Sequence, residues 1–182
     1  MAAGRRAGKE AAMTDPVFVG LDTGLSGGVV TLSAQGAILH AGIMPVVSSG
    51  KHRRTDAMAL RSLLSFLTEG KTATITIEDP GGHAPSATGL ASMSRSYATC
   101  LTVIELGGYR HHPVFARTWQ AGFWKRPKMA TGAKFDTKAA ALTEARRLWP
   151  MQDWTKSERA ILPHDGMVDA ALIAEYGRRK LR

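Results

Sequence analysis

A chain of 182 residues, 44% hydrophobic and 21% charged, has the make-up of one ordinary globular domain. No apolar run reaches the roughly 18 residues of a membrane span, and the single cysteine, Cys100, excludes an internal disulfide and suits a reducing compartment. The 24 lysines and arginines outnumber 15 aspartates and glutamates, and the formal charge of +9 points to a polyanion such as nucleic acid, with solubility as the plainer alternative.

Residues 1–15 carry Arg5, Arg6 and Lys9 among alanines and glycines, without the apolar segment of a secretory signal. A disordered tail is expected there, with Met13 an alternative start and residues 16–182 the folded domain. Val17 to Leu21 is an apolar run ending in Asp22, and Gly24, Gly27 and Gly28 offer the permissive backbone of a tight turn. Val29 to Ser33 continues as a second strand and Ala37 to Met44 as a third, an antiparallel meander closed by Pro45.

Thr55 is the expected N-cap of a helix in which Leu60, Leu63, Leu64 and Leu67 recur at helical spacing until Gly70. Ala73 to Ile77, rich in β-branched residues, reads as a buried strand running into Glu78 and the breakers Asp79-Pro80-Gly81-Gly82. Ala87 to Leu106 follows as a long helix and Arg110 to Phe115 as a fifth strand. A short helix over Thr118 to Lys125 and a loop from Pro127 to Lys134 precede a helix capped at Asp136 or Thr137 and stopped by Pro150. The last helix starts near Asp165 and runs toward Lys180. This order suits an α/β fold, a mixed sheet with helices on both faces. Arg110, Arg117, Lys125, Arg126, Lys128, Lys134, Lys138, Arg146 and Arg147 face only Asp136 and Glu144 in their stretch, so a phosphate-binding surface is expected there.

Asp22 and Glu78 each end an apolar strand, where ligand sites of open α/β sheets gather. Either alone could be a turn residue. Asp165 and Asp169, four apart on one helix, share a stripe with Leu172 and Tyr176 that should face the sheet. Like charges so placed repel and call for a compensating cation, although Asp165 by itself could simply favour the positive helix end. Four carboxylates without a cysteine pair are hard ligands, suited to Mg²⁺ with Mn²⁺ as a substitute. Two such ions would support hydrolysis of a phosphodiester. His164 adjoins the cluster as a candidate for activating water or touching the phosphate, and contact with its own backbone is the plainer reading.

Three stretches together resemble RuvC-like Holliday junction resolvases, in particular their phage and plant-plastid branches. These are Val19-Gly20-Leu21-Asp22-Thr23-Gly24 with Ser26-Gly27-Gly28, Ile75-Thr76-Ile77-Glu78, and His164-Asp165-Gly166-Met167-Val168-Asp169-Ala170-Ala171-Leu172 continuing to Ala174. Val114 to Trp119, then Lys138 before the alanine-rich helix ending Leu148-Trp149-Pro150, is similar to the plastid branch. The resemblance implies an RNase H-like five-stranded sheet, three antiparallel strands followed by parallel ones. It also implies a homodimer that nicks opposed strands of a four-way DNA junction with Mg²⁺. It makes Asp22, Glu78, Asp165 and Asp169 the metal ligands and Lys138 a lysine near the scissile phosphate. Bacterial relatives space the last two ligands three apart, not four, so Asp165 and His164 compete for the fourth place.

The residues expected on DNA are Lys125, Arg126, Lys128, Lys134, Lys138, His83 and Arg95. Relatives insert side chains into the junction centre from the place of the Asp79–Ser94 loop, which here is small and polar. Neither a membrane nor a small-molecule substrate is expected, and the cytoplasm of a bacterial or phage-infected cell is the expected location, an organelle the alternative. Three rival readings stand beside the resolvase: a nuclease for other branched DNA or RNA/DNA hybrids, a non-catalytic junction binder, and an actin-like phosphotransferase domain, whose two lobes this length does not accommodate.

Overall fold

The computed structural model describes residues 15–50, 52–81, 86–128, 130–131 and 134–181. The tail expected at the N-terminus, up to residue 14, and His83 lie outside the described residues. The strands are β1 (Val17–Asp22), β2 (Gly28–Ser33), β3 (Ile38–Ile43), β4 (Val46–Ser49), β5 (His52–Thr55), β6 (Ala73–Asp79) and β7 (Arg110–Phe115). The helices are α1 (Ala57–Leu67), α2 (Ala87–Leu106), α3 (Ala116–Ala121), α4 (Thr137–Leu148) and α5 (Asp165–Lys180).

Five strands form one sheet in the order β3-β2-β1-β6-β7. The first three pair antiparallel, and β6 and β7 join parallel to β1. Period-two alternation divides each strand between two cores. On one face Val19, Leu21, Val29, Ile75 and Ile77 pack with Leu60 and Leu64 of α1 and Cys100 and Ile104 of α2. On the other, Phe18, Val30 and Leu32 pack with Trp119, Ala141, Val168 and Leu172 from α3, α4 and α5. Helices therefore cover both faces, as the sequence pattern predicts. Among the described residues no helix is long and apolar enough to cross a membrane.

The starts of α1 and α4 follow side-chain capping. Asp56 accepts from the backbone N–H groups of Met58 and Ala59, and Asp136 from those of Lys138 and Ala139. The N-cap of α1 is thus Asp56, not Thr55. Thr55 instead ends β5, one half of a β4–β5 hairpin that the sequence pattern does not predict. Its strands carry no apolar alternation: His52, Arg53 and Arg54 are exposed and only Thr55 is buried. Pairing with β4 creates the strand, and Gly50, at φ +58°, lies between the two. The short helix after β7 spans Ala116–Ala121, two residues earlier than Thr118 and four short of Lys125.

Two further expectations change. Gly24, Gly27 and Gly28 do not adopt positive φ; Gly27 and Gly28 are small because other backbone crowds them. A Cβ on Gly28 would lie 2.5 Å from the Gly166 carbonyl oxygen. The basic stretch from Arg110 to Arg147 is also not one surface. Arg110 starts β7 and pairs with Thr74, at the sheet end opposite Glu78, while Arg147 ends α4 bound to Glu144.

Candidate active site

Alternation along β1 sends Phe18, Gly20 and Asp22 to the face that α5 covers, while Val19 and Leu21 go to the other. The same rule along β6 places Thr76 and Glu78 on the α5 side, opposite Ile75 and Ile77. Because β1 and β6 are parallel, with Leu21 beside Ile77, Asp22 and Glu78 emerge together at the carboxyl edge of the sheet. Thr23 Oγ1 donates to the Glu78 carbonyl oxygen at 3.2 Å and ties the two strand ends together.

The third carboxylate arrives on α5, which rests on the sheet at backbone contact. A Cβ at Gly20 would lie 2.0 Å from the Ala170 carbonyl oxygen, and one at Gly166 2.2 Å from that of Ser26. The stripe on the sheet is therefore Gly166, Ala170, Ala174 and Gly177, with Gly177 over Thr76. Asp165, Asp169, Leu172 and Tyr176 form the adjacent stripe, and Tyr176 meets Gly122 beyond α3. The carboxylates flank the sheet contact, where their helical spacing alone puts them on it. That offset leaves Asp169 half-buried and directed at the crevice instead of crushed beneath the helix.

Electrostatics bind the three inner acids into one group. Burial pushes the Asp22 carboxyl above the ordinary range, although the Gly24 N–H, at 3.0 Å from Oδ1, and His164 oppose the shift. Glu78 is pushed up to about 7 by burial and then by Asp22. Asp169 is pushed up to about 8 by burial, then by Asp22, Glu78 and Asp165, with Lys138 opposing. Like charges held together away from water favour protons or a cation.

Glu78 is also held from the side by Trp119. The indole Nε1–H donates to Oε2 at 2.7 Å, and the ring itself is fully buried. Trp119 meets Phe123 and Trp124 edge-on, so the donor sits in a fixed aromatic cluster. The sequence carries no signal for this bond, because it joins α3 to a strand 41 positions earlier.

Asp165 stands apart from the other three. It is exposed at the start of α5, and its Oδ2 accepts from Lys138 Nζ at 2.5 Å. His164 is the N-cap of α5, its Nδ1 accepting the Met167 N–H at 3.3 Å, and its charge favours ionised Asp22. The backbone contact expected of this histidine is present, beside the inner acids. Lys125, Arg126, Lys128 and Lys134 are exposed between α3 and α4. Arg126, bonded to Gln120, shares with Glu78, Met93, Phe115 and Arg117 a cavity of about 650 Å³. Arg117 belongs to the basic stretch expected to bind phosphates, whereas Phe115 is absent from the residues expected on DNA, and its exposed ring supplies an aromatic that the Asp79–Ser94 loop lacks. Arg95 lies on the flank of α2 toward β5.

Among the described residues no three His, Cys, Asp or Glu side chains close around a point as an ion cage. The inner acids nevertheless fit a divalent cation: three hard oxygen donors, half-buried and close enough for Asp22 to raise Glu78 and Asp169, offset only by the Gly24 N–H and His164 at Asp22, the Trp119 indole at Glu78 and Lys138 at Asp169. Asp22, Glu78 and Asp169 are the residues able to hold it, with Asp165 and His164 next to them.

No protein-family model and no curated protein matches this chain. Solved structures do. Thermus thermophilus RuvC in complex with Holliday junction substrate aligns at TM-score 0.59 and 11% identity, over 90% of this chain and 94% of that one. A second Thermus thermophilus RuvC structure aligns at TM-score 0.54 and 13% identity, over 90% and 95%. Together with the β3-β2-β1-β6-β7 order and the helices on both faces, these alignments show that the chain has the RNase H-like fold of RuvC.

Proposed function

We propose that the protein is a divalent-metal-dependent endonuclease that resolves four-way DNA junctions. The observation that carries this reading is the group of half-buried carboxylates, Asp22, Glu78 and Asp169, brought by two parallel strand ends and α5 to one edge of a RuvC-like sheet. A non-catalytic binder has no use for three acids raised by burial, with Asp22 raising Glu78 and both raising Asp169, and a phosphate-binding surface would not put them at its centre.

Mg²⁺, or Mn²⁺ in its place, would supply charge neutralisation and activation of water for phosphodiester hydrolysis. The chain's own residues do the rest. Trp119 fixes one oxygen of Glu78 and leaves the other for the cation. Gly20 and Gly166 set the depth at which α5 presents Asp169. His164, anchored by its cap bond, neighbours Asp22 and is placed to exchange a proton with water or leaving group. Lys138 holds Asp165 in the free protein and is the cation nearest the rim, free to turn to a phosphate oxygen when DNA arrives. Exposed pairs of this kind are weak, so the exchange costs little. Lys125, Arg126, Lys128 and Lys134 would contact the backbone, Arg117 and Phe115 the strand beside Glu78.

Cutting opposed strands requires two sites at fixed separation, and we place the partner of a homodimer on the outer α1–α2 face. Met58, Phe66 and Leu106 on these two helices are 68%, 73% and 84% exposed, and exposed apolar side chains of this kind suit a protein–protein contact. Val103 and Ile104 belong to the monomer core instead. The cytoplasm of a bacterial or phage-infected cell remains the proposed location. The test is a nicking assay on a synthetic four-way junction, a fork, a duplex and an RNA/DNA hybrid, with Mg²⁺, Mn²⁺ or EDTA. Metal-dependent paired nicks in the four-way junction are expected, and preferential cutting of the fork or hybrid would move the reading to a related nuclease.

A further inference from the structure

Charged side chains gather a second time away from the acids, on the β4–β5 hairpin. His52, Arg53 and Arg54 line a pocket of about 260 Å³ whose opposite wall is α2, with Arg95 and Ser96. Among the described residues no carboxylate lines it, and none of these three arginines is in an ion pair. Arg53 spends one N–H on the Leu25 carbonyl at 3.3 Å, and Arg95 one on its own helix at Ala91. A guanidinium has five donors, so each keeps most of its fork for an anion.

The hairpin is fixed, not loosely tethered. The Thr55 and Ser96 hydroxyls share a buried hydrogen bond of 2.5 Å between β5 and α2, and Asp56 N–H donates to the Pro45 carbonyl at its base. A two-stranded hairpin with a polar outer strand adds little stability by itself. Here it holds two exposed arginines against a third from another element.

We propose that this pocket is a second phosphate-binding site, which takes the sugar-phosphate backbone of a DNA arm adjoining the strand to be cut. The inference rests on the nuclease reading. Continuity with the acidic site identifies the occupant. Arg53 binds the carbonyl of Leu25, three residues after Asp22, and Met93 of α2 lines the cavity that holds Glu78 while Ser92 and Arg95 line the basic pocket. One polyanion can therefore run along α2 from pocket to acids, and planar guanidinium forks match its phosphates.

The test measures binding of the full-length protein to a fluorescent four-way junction in Ca²⁺ from 50 to 200 mM salt. The double variant Arg53→Ala/Arg54→Ala should flatten the plot of log K against log salt by about 0.9 for each phosphate it leaves unneutralised. Arg95→Ala, on a different element, should flatten it by about 0.9 even if the double variant folds poorly. Arg53→Lys/Arg54→Lys should restore most of the slope. Wild-type slope and affinity in both alanine variants overturn the inference and assign the arginines to another anion, such as an acidic protein segment. If wild type itself binds and cuts no branched DNA, the nuclease reading fails, and this inference with it.

Discussion

Replacing Gly20 by alanine should damage the acidic site without touching a carboxylate. The new Cβ would stand 2.0 Å from the Ala170 carbonyl oxygen and 2.4 Å from Ala174 N, where ordinary contact begins at 3.4 Å. Both obstacles are helix backbone, so α5 must withdraw from the sheet by more than about 1 Å. Overpacking of this kind costs about 1–3 kcal/mol, and in a domain of this size each kcal/mol lowers Tm by roughly 2–4 °C. Asp169 adjoins Ala170, so the same withdrawal carries it away from Asp22 and Glu78. Misplacement by about 1 Å is worth on the order of 100-fold in rate. The matched control is Gly70→Ala, strained at φ +65° but with nothing within 4 Å, which should lose about 1–2 kcal/mol while keeping activity. Thermal melts, Mn²⁺ titration and junction nicking are compared across the three proteins. A Gly20→Ala protein with wild-type Tm and Mn²⁺ affinity would refute the idea that backbone contact at Gly20 positions α5.

Three further outcomes are expected. Trp119→Phe keeps an aromatic ring but removes the donor to Glu78; losing a charge-assisted hydrogen bond of about 1.5–3 kcal/mol should slow nicking at saturating junction by roughly 10- to 100-fold and weaken Mn²⁺ binding, and unchanged values would reduce Trp119 to a core residue. In EDTA the ionisation of Asp169 opposes folding, because its folded pKa of about 8 lies above the ordinary 3.8; the cost is absent below the ordinary value and grows as pH rises to about 8. Asp169→Asn should therefore melt above wild type near pH 8, the gap closing toward pH 4 and shrinking when Mg²⁺ is added, and a gap that ignores pH contradicts the electrostatics. Cys100 is fully buried with its thiol pushed up to about 12, so the native protein should not react with a thiol reagent at pH 8 and the unfolded protein should, whereas rapid native labelling would show that the α1–α2 core opens.

What the sequence makes legible follows its periodicities. Apolar runs place β1, β2 and β6, leucine spacing places α1, and the expected spans of α2 and β7 and the start of α5 near Asp165 agree with the structure. Asp22 and Glu78 are legible because each ends such a run. The β4–β5 hairpin escapes because its strands are made by pairing and not by apolar alternation, and with it escape Arg53 and Arg54. The glycines are visible but their purpose is not: Gly28 reads as turn material until α5 is laid against it. Trp119 escapes because its bond to Glu78 depends on where α3 comes to rest. The basic stretch misleads for the same reason, since adjacency in sequence does not keep Arg110 and Arg147 at the end of the sheet where Glu78 emerges. The separation of Asp165 from the inner acids likewise depends on how α5 comes to rest, with its first residue exposed and within reach of Lys138 from another helix.

Asp22, Glu78 and Asp169 are proposed to cut DNA and not merely to share a fold with a nuclease. Asp22→Asn preserves size and removes one charge, so it should bind a four-way junction as tightly as wild type, or more tightly, while paired nicking in Mg²⁺ falls by at least about 1,000-fold. An Asp22→Asn protein that nicks the junction at the wild-type rate would show that these acids are not the catalytic site.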